Sequence, residues 1–267
     1  MLDDVLDDAA ATAAPGGFVP PPSCCRDAGD ARRYLRLTRL YTYLLYAALG
    51  LALARLIPAW VLVPLVPFVY LRLALALHEL LHVCPPGQVS RFHQLTMIFE
   101  SPMCLGYREH RAIHFAHHRF ASTDRDPEQY QIVGGPLRAF ANALISPERG
   151  FVHWVRAHGL NRTLAIDAAL RALAFVVLLS INPRVFVVYW LALRVSVGFA
   201  SFVFHHVLHN LDGRLGTFRL PVSGPVLNAA RALFGAEPML ILTEHERHHH
   251  WPRVRAKDLP LLPEPNA

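Results

Sequence analysis

The sequence predicts an all-α integral membrane protein, with four transmembrane helices in two hairpins and a helical cap on the cytoplasmic side. Three observations predict it. Of the 267 residues 53% are hydrophobic and only 17% are charged, against about 25% charged in an ordinary soluble domain. The mean hydropathy is +0.28, and the apolar residues gather into four stretches, each near the roughly 20 residues a helix needs to cross the hydrocarbon core. The positive charge is almost wholly arginine and is concentrated outside the hairpin tips.

The elements follow in order. Residues 1–33 begin "MLDDVLDDAAATAAPGGFVPPPSCC", acidic and then rich in Ala, Pro and Gly, without the basic start and apolar core of a signal peptide. They read as a disordered cytoplasmic tail. One membrane domain is expected over 34–262, then a short tail over 263–267. The first span, 38–56, and the second, 59–82, are joined by "LIPA". The third, 164–181, and the fourth, 184–206, are joined by "INPR". Such short turns make each pair a helical hairpin. Between the hairpins, "HQLTMIFESPMCLGY" is too short and polar to cross twice and reads as a partly embedded helix walling a substrate channel.

Arginines fix the expected orientation. Arg26, Arg32, Arg33 and Arg36 precede the first span, Arg108 to Arg149 lie between the hairpins, and Arg247, Arg253, Arg255 and Lys257 follow the fourth. By the positive-inside rule all three regions, and both termini, are cytoplasmic. Arg72, Arg171 and Arg194 interrupt the spans and should face the bundle interior or snorkel. Net charge +6 in so apolar a chain points to a membrane surface and not to nucleic acid. Cys24, Cys25, Cys84 and Cys104 show no CxxC spacing, which excludes a zinc ribbon or a disulfide scaffold.

Histidine carries the functional signal. Of 16 histidines, His78 and His82 lie in "HELLH" at the end of the second span, while "REHRAIHFAHHRF" brings His110, His114, His117 and His118. "FVFHHVLHNLDG" closes the fourth span with His205, His206 and His209, and "TEHERHHHWP" holds His245, His248, His249 and His250. Residues four apart on a helix share a face and can turn two imidazoles to one metal. Under the arginine-derived topology all four clusters meet at one membrane face. One zinc takes four ligands, and at least eight histidines are offered, enough for two metals. Imidazole alone suits zinc, iron, copper or nickel.

"HELLH" also fits a zinc peptidase, with Glu79 as general base and the Asp212 of "NLDG" as third ligand of an intramembrane protease. That reading leaves the second and fourth clusters without a role, and a non-enzymatic metal-binding membrane protein stands as a further alternative because imidazole binds many metals. His93, His153 and His158 read as ordinary solvated or hydrogen-bonded side chains. Asp126, just before Pro127, can orient a ligand through an Nδ1–H bond.

"HELLH", "HFAHH" and "HERHH" resemble the three histidine boxes of the membrane fatty acid desaturase superfamily, which includes carotenoid ketolases and hydroxylases. "HHRFASTDRDPE" and "HHHWPRVRAKDLPLL" are similar to its conserved flanks, so the likeness covers about 34 to 262. It implies two non-haem iron ions and oxygen-dependent oxidation of a lipid or acyl substrate, as desaturation or as hydroxylation or ketone formation on the same scaffold. By position the ligands would be His78, His82, His114, His117, His118, His245, His248 and His249. A further ligand would be His206 or His209, Asn210 could hold a bridging water, and His110 and His250 would lie outside the ligand set. The partners implied are dioxygen and an external ferredoxin-like electron donor, since the chain has no flavin fingerprint, haem motif or four-cysteine cluster.

Overall fold

The computed structural model describes residues 18–265, and they are mostly helical. Asp27 starts helix α1 (Ala28–Leu53) with a capping box: its carboxylate accepts from the Gly29 and Asp30 amides while Asp30 reaches back to the Asp27 amide, satisfying donors a helix start leaves free. After a turn comes α2 (Leu62–Val83), which stops at Cys84-Pro85-Pro86 because proline cannot continue it. Then follow α3 (Arg91–Thr96), α4 (Tyr107–Phe120), α5 (Gln129–Ile132), α6 (Pro136–Leu144) and α7 (Ser146–His158). α8 (Arg162–Ile181) and α9 (Pro183–Ser201) meet at Asn182, which ends one and caps the other. α9 runs on into a π-helical turn, Phe202–Val207. A two-stranded antiparallel ribbon, β1 (Asn210–Leu211) with β2 (Arg214–Leu215), precedes α10 (Gly224–Phe234), α11 (Ala236–Thr243) and α12 (His245–His250).

Among the described residues three segments are long and apolar enough to cross a membrane: Ala59–Val83, Arg162–Ile181 and Pro183–Val207. α1 has the length, at 26 residues, but Arg36, Arg39 and its tyrosines and threonines lower its hydropathy. α2 lies between α1 and α9. Leu45, Leu49, Val66, Leu73, Leu193 and Val197 form part of one buried core at that junction. α8 stands apart and exposes Ile166, Leu170, Leu173, Val176 and Ile181, a surface that needs lipid around it.

The arginines inside the spans have identifiable partners. Arg171 donates to the Cys104 carbonyl at 2.9 Å, Arg194 pairs with Glu148, and Arg72 reaches the Leu233 carbonyl.

Three expectations change. Residues 18–33 are not a loose tail. Cys25 pairs with Val254 in an antiparallel bridge, the Arg26 amide donates to the Arg253 carbonyl at 2.8 Å and the Arg255 amide to the Cys24 carbonyl at 3.0 Å, and α1 begins at Ala28. Of the predicted tail, 1–17 lies outside the described residues. At the other end Glu264 pairs with Arg247, so the predicted tail at 263–267 is tied down as far as it is described. The run after the first box is helical only as far as Thr96. Pro102 disfavours helix at the residue before it, and 97–106 continues as irregular, largely buried chain.

Candidate metal centre

Box one is carried on the last turns of α2, and α4 is docked against them by hydrogen bonds. Tyr107 donates to the carbonyls of Leu80 and Cys84 at 3.0 and 2.8 Å, and Arg111 Nε to that of Leu81 at 2.7 Å. The carbonyls of Leu81 and Cys84 are ones that a helix C-terminus leaves without partners, whereas that of Leu80 also accepts from the Cys84 amide, and a cation there suits the helix dipole. Box two therefore faces box one. α12 adds box three, and the chain leaving the π-helical turn adds His209, fully buried.

The histidines form two adjoining groups. In the first, ligand atoms of His78, His82, His118 and His248 all lie within 4.8 Å of one another, and His114 Nε2 is 2.8 Å from His82 Nε2. In the second the same holds for His117, His209 and His249, and His245 Nε2 is 3.1 Å from His209 Nε2. The His118 and His249 rings stack between the groups with centroids 4.1 Å apart.

One contact has the geometry of a metal site. His117 Nδ1 lies 2.9 Å from Asp126 Oδ2 and His209 Nδ1 lies 2.8 Å from the Gly216 carbonyl oxygen. Both oxygens are acceptors, so each Nδ1 donates and each Nε2 is left to face the other ring. The two Nε2 atoms are 3.1 Å apart. Between neutral rings these are two acceptors, which repel unless a proton or a metal ion lies between them. Nitrogens about 2.1 Å from one ion and at right angles to each other are about 3.0 Å apart, and the four close Nε2 pairs span 2.8 to 3.1 Å. Both ring nitrogens of His118 and of His249 are buried without a hydrogen-bond partner among the described residues, an arrangement costly to leave unsatisfied and relieved by ligation.

Burial, reinforced by neighbouring imidazoles, holds His114, His118, His209, His245, His248 and His249 well below the usual histidine range. They are neutral at pH 7, the form that binds metal.

No family model, curated protein or solved structure matches the chain. What can be said of the site comes from its own geometry. The histidine groups can hold metal ions, and imidazole alone does not choose among iron, zinc, copper and nickel.

The remaining predicted site residues are placed as follows. Asp126 is buried against His117 and also accepts from the Ser122 and Glu128 amides, so it is a fixed orienting carboxylate. His206 is not brought to the cluster: its Nδ1 lies 2.9 Å from the Ile132 carbonyl and its ring stacks on Phe202. Asn210 spends its amide on that same carbonyl and its oxygen on the Gly213 amide, which leaves it a turn residue. His110 lines the adjoining cavity without joining either group, and His250 packs on Trp251. His93 is buried on Thr38 at 3.1 Å, and His158 stacks on Trp154.

Neither residue of the peptidase reading belongs to a histidine group among the described residues. Glu79 forms a buried ion pair with Arg26, whose guanidinium also holds the Pro252 carbonyl. Asp212 sits exposed at the tip of the β ribbon.

Sequence reasoning missed Glu128 and did not place its neighbour His205, one of the three histidines that close the fourth span. Their side chains meet at 3.0 Å, and with His117 they make a third group of possible ligands. Burial pushes the Glu128 carboxyl up, but the His205 ring outweighs it and holds the carboxyl at about 2. The adjacency of Glu128 to Asp126-Pro127 was the available signal.

A cavity of about 160 Å³ opens from the histidines. Leu77, Leu81, Ile98, Ile113, Val197 and Phe204 are among its apolar walls, and Tyr70 and Glu100 also line it.

Proposed function

We propose that this chain is a membrane-bound, oxygen-dependent di-iron enzyme that desaturates a fatty acyl or other long lipid chain. The observation that carries the reading is the 3.1 Å approach of the His117 and His209 Nε2 atoms, each ring held by its Nδ1, in a second metal group beside a first. Nine histidines, five in one group and four in the other, exceed what a single four-coordinate zinc takes. Iron held there supplies the one chemistry that side chains lack, dioxygen-dependent removal of hydrogen from an unactivated methylene. The chain's own residues do the rest. The apolar cavity takes the lipid chain and excludes water, while Asp126 and the Gly216 carbonyl fix the rings of His117 and His209. Glu128 holds His205 beside them, with ring centroids of His117 and His205 5.2 Å apart.

In this reading α1 is a fourth span. It packs along α2, and Leu40, Tyr43, Leu44 and Leu51 on its outer face are exposed, as a lipid-facing side requires. The two hairpins then enter from the cytoplasmic side, where the arginines and the metal centre lie. That arginine-rich face suits an acidic, ferredoxin-like electron donor. Glu79 is held by Arg26, and Asp212 is exposed and joins none of the histidine groups among the described residues, so the peptidase alternative lacks its parts.

Metal analysis of purified protein should give close to two irons per chain, and lipid mass spectrometry of cells making it should show a new double bond. A new hydroxyl or ketone instead would assign the alternative outcome on the same scaffold. One zinc per chain without iron would overturn the proposal.

A further inference from the structure

The cavity does not end as a hydrocarbon tail requires. At the side away from the histidines its lining includes Tyr70 and Glu100, and the same two residues line a smaller cavity of about 20 Å³ beyond it with Tyr46, Phe99 and Tyr189. Glu100 is 7% exposed. Its Oε1 accepts the Tyr70 hydroxyl at 3.2 Å, and its backbone carbonyl accepts from the Trp190 indole at 3.3 Å. Glu100 is therefore fixed from two sides, its carboxyl by α2 and its backbone by α9. A carboxyl in such surroundings is expensive unless it is neutral or hydrogen-bonded. Burial does raise its proton affinity, against the opposing pull of Arg171 and Arg194. A pocket built only to hold methylenes gains nothing from an acid at its end, and Leu there would fit a hydrocarbon better.

Resting on the lipid-oxidase reading above, we infer that the substrate is a lipid chain bearing a hydroxyl or carbonyl oxygen, which Glu100 and Tyr70 bind at the end of the cavity remote from the metals. The helix sets the distance. Tyr70 precedes His78 by eight residues on α2, about 12 Å at about 1.5 Å per residue. An extended chain advances about 1.2 Å per bond, since three backbone bonds span at most about 3.6 Å. The oxygen therefore lies roughly ten bonds from the carbon held at the histidines.

The test uses metal-loaded full-length protein in detergent, with 1-decanol and 5-decanol as probes. Both displace a fluorescent polyene fatty acid from the cavity, and the two isomers share size and polarity. One net hydrogen bond predicts that the terminal alcohol displaces at roughly 3- to 10-fold lower concentration. That ratio should fall to one in Glu100→Leu and persist in Glu100→Gln, which keeps a donor and an acceptor. Equal displacement by the two isomers from the wild type overturns the inference. So does a terminal preference that survives Glu100→Leu, because the hydroxyl would then be held at the histidines. Should that variant fail to fold, metal-stripped wild type replaces it: a preference lost with the metals overturns the inference, and one that remains supports it. If neither alcohol nor the fatty acid binds at all, the lipid reading itself fails, an outcome distinct from equal binding.

Discussion

Glu79→Gln separates the two chemistries that HELLH can serve. Glu79 lies next to His78 in sequence, but on a helix that turns its side chain away from the face His78 shares with His82. Its nearer oxygen is 3.7 Å from His78 Nδ1, and it is committed to Arg26, with the two side chains only 1% and 5% exposed. Deleting one member of a buried ion pair costs about 3–5 kcal/mol. Gln still accepts from the guanidinium, so the expected loss is nearer the worth of one charge-assisted hydrogen bond, about 1.5–3 kcal/mol. Thermal unfolding of Glu79→Gln, Arg26→Met and the double variant should show the double variant less destabilised than the sum of the singles. In the same preparations Glu79→Gln should keep its metal and at least a tenth of lipid-oxidising activity, whereas His82→Ala should keep neither. The reasoning is refuted by full metal content with turnover down by about 10² to 10⁴, the loss of a general base, above all if Asp212→Asn is equally dead.

Three further expectations follow from the centre. His114, His118, His245 and His249 to Ala should each abolish activity and lower bound metal, while His93→Ala and His158→Ala do neither; elemental analysis beside the lipid assay checks this. His209→Ala should lose metal where His206→Ala does not, and Asp126→Asn should weaken metal affinity about 10- to 100-fold, read by titration against a chelator. Metal-free protein should be most stable above about pH 6.5 and lose stability as pH falls below it. There the unfolded chain takes up protons that the buried neutral imidazoles of His114, His118 and His248 refuse, at about 1.4 kcal/mol per pH unit for each such histidine. A melting temperature flat or rising from pH 7 to pH 5.5 would remove the basis for that sign.

What could be read from the sequence is what depends on local period. His78 with His82, and His114 with His118, are four apart, and a helix places them on one face wherever it lies. The apolar runs likewise mark three membrane-length helices. The choice between His206 and His209 could not be read so, because Phe202–Val207 is a π-helical turn. A π turn carries more residues per turn than the α period assumes, which rotates His206 towards Ile132 and leaves the chain beyond it to bring His209 into the cluster. The pairing of Arg26 with Glu79, 53 residues apart, and the seat of residues 18–26 beside box three are tertiary contacts with no local signature. The Pro- and Gly-rich composition of that segment argues for disorder until its hydrogen-bonding partners are in place.

The bridge between Cys25 and Val254 bears on how the protein comes into being. Arg26 takes hold of the Pro252 carbonyl across 226 positions of chain, so a segment made before the first membrane helix stays without its partner until everything up to α12 has left the ribosome. Contacts of such long sequence separation form late, and the helices they join must already be inserted. Metal loading is therefore expected after synthesis, into an assembled bundle whose N-terminal segment closes over box three last.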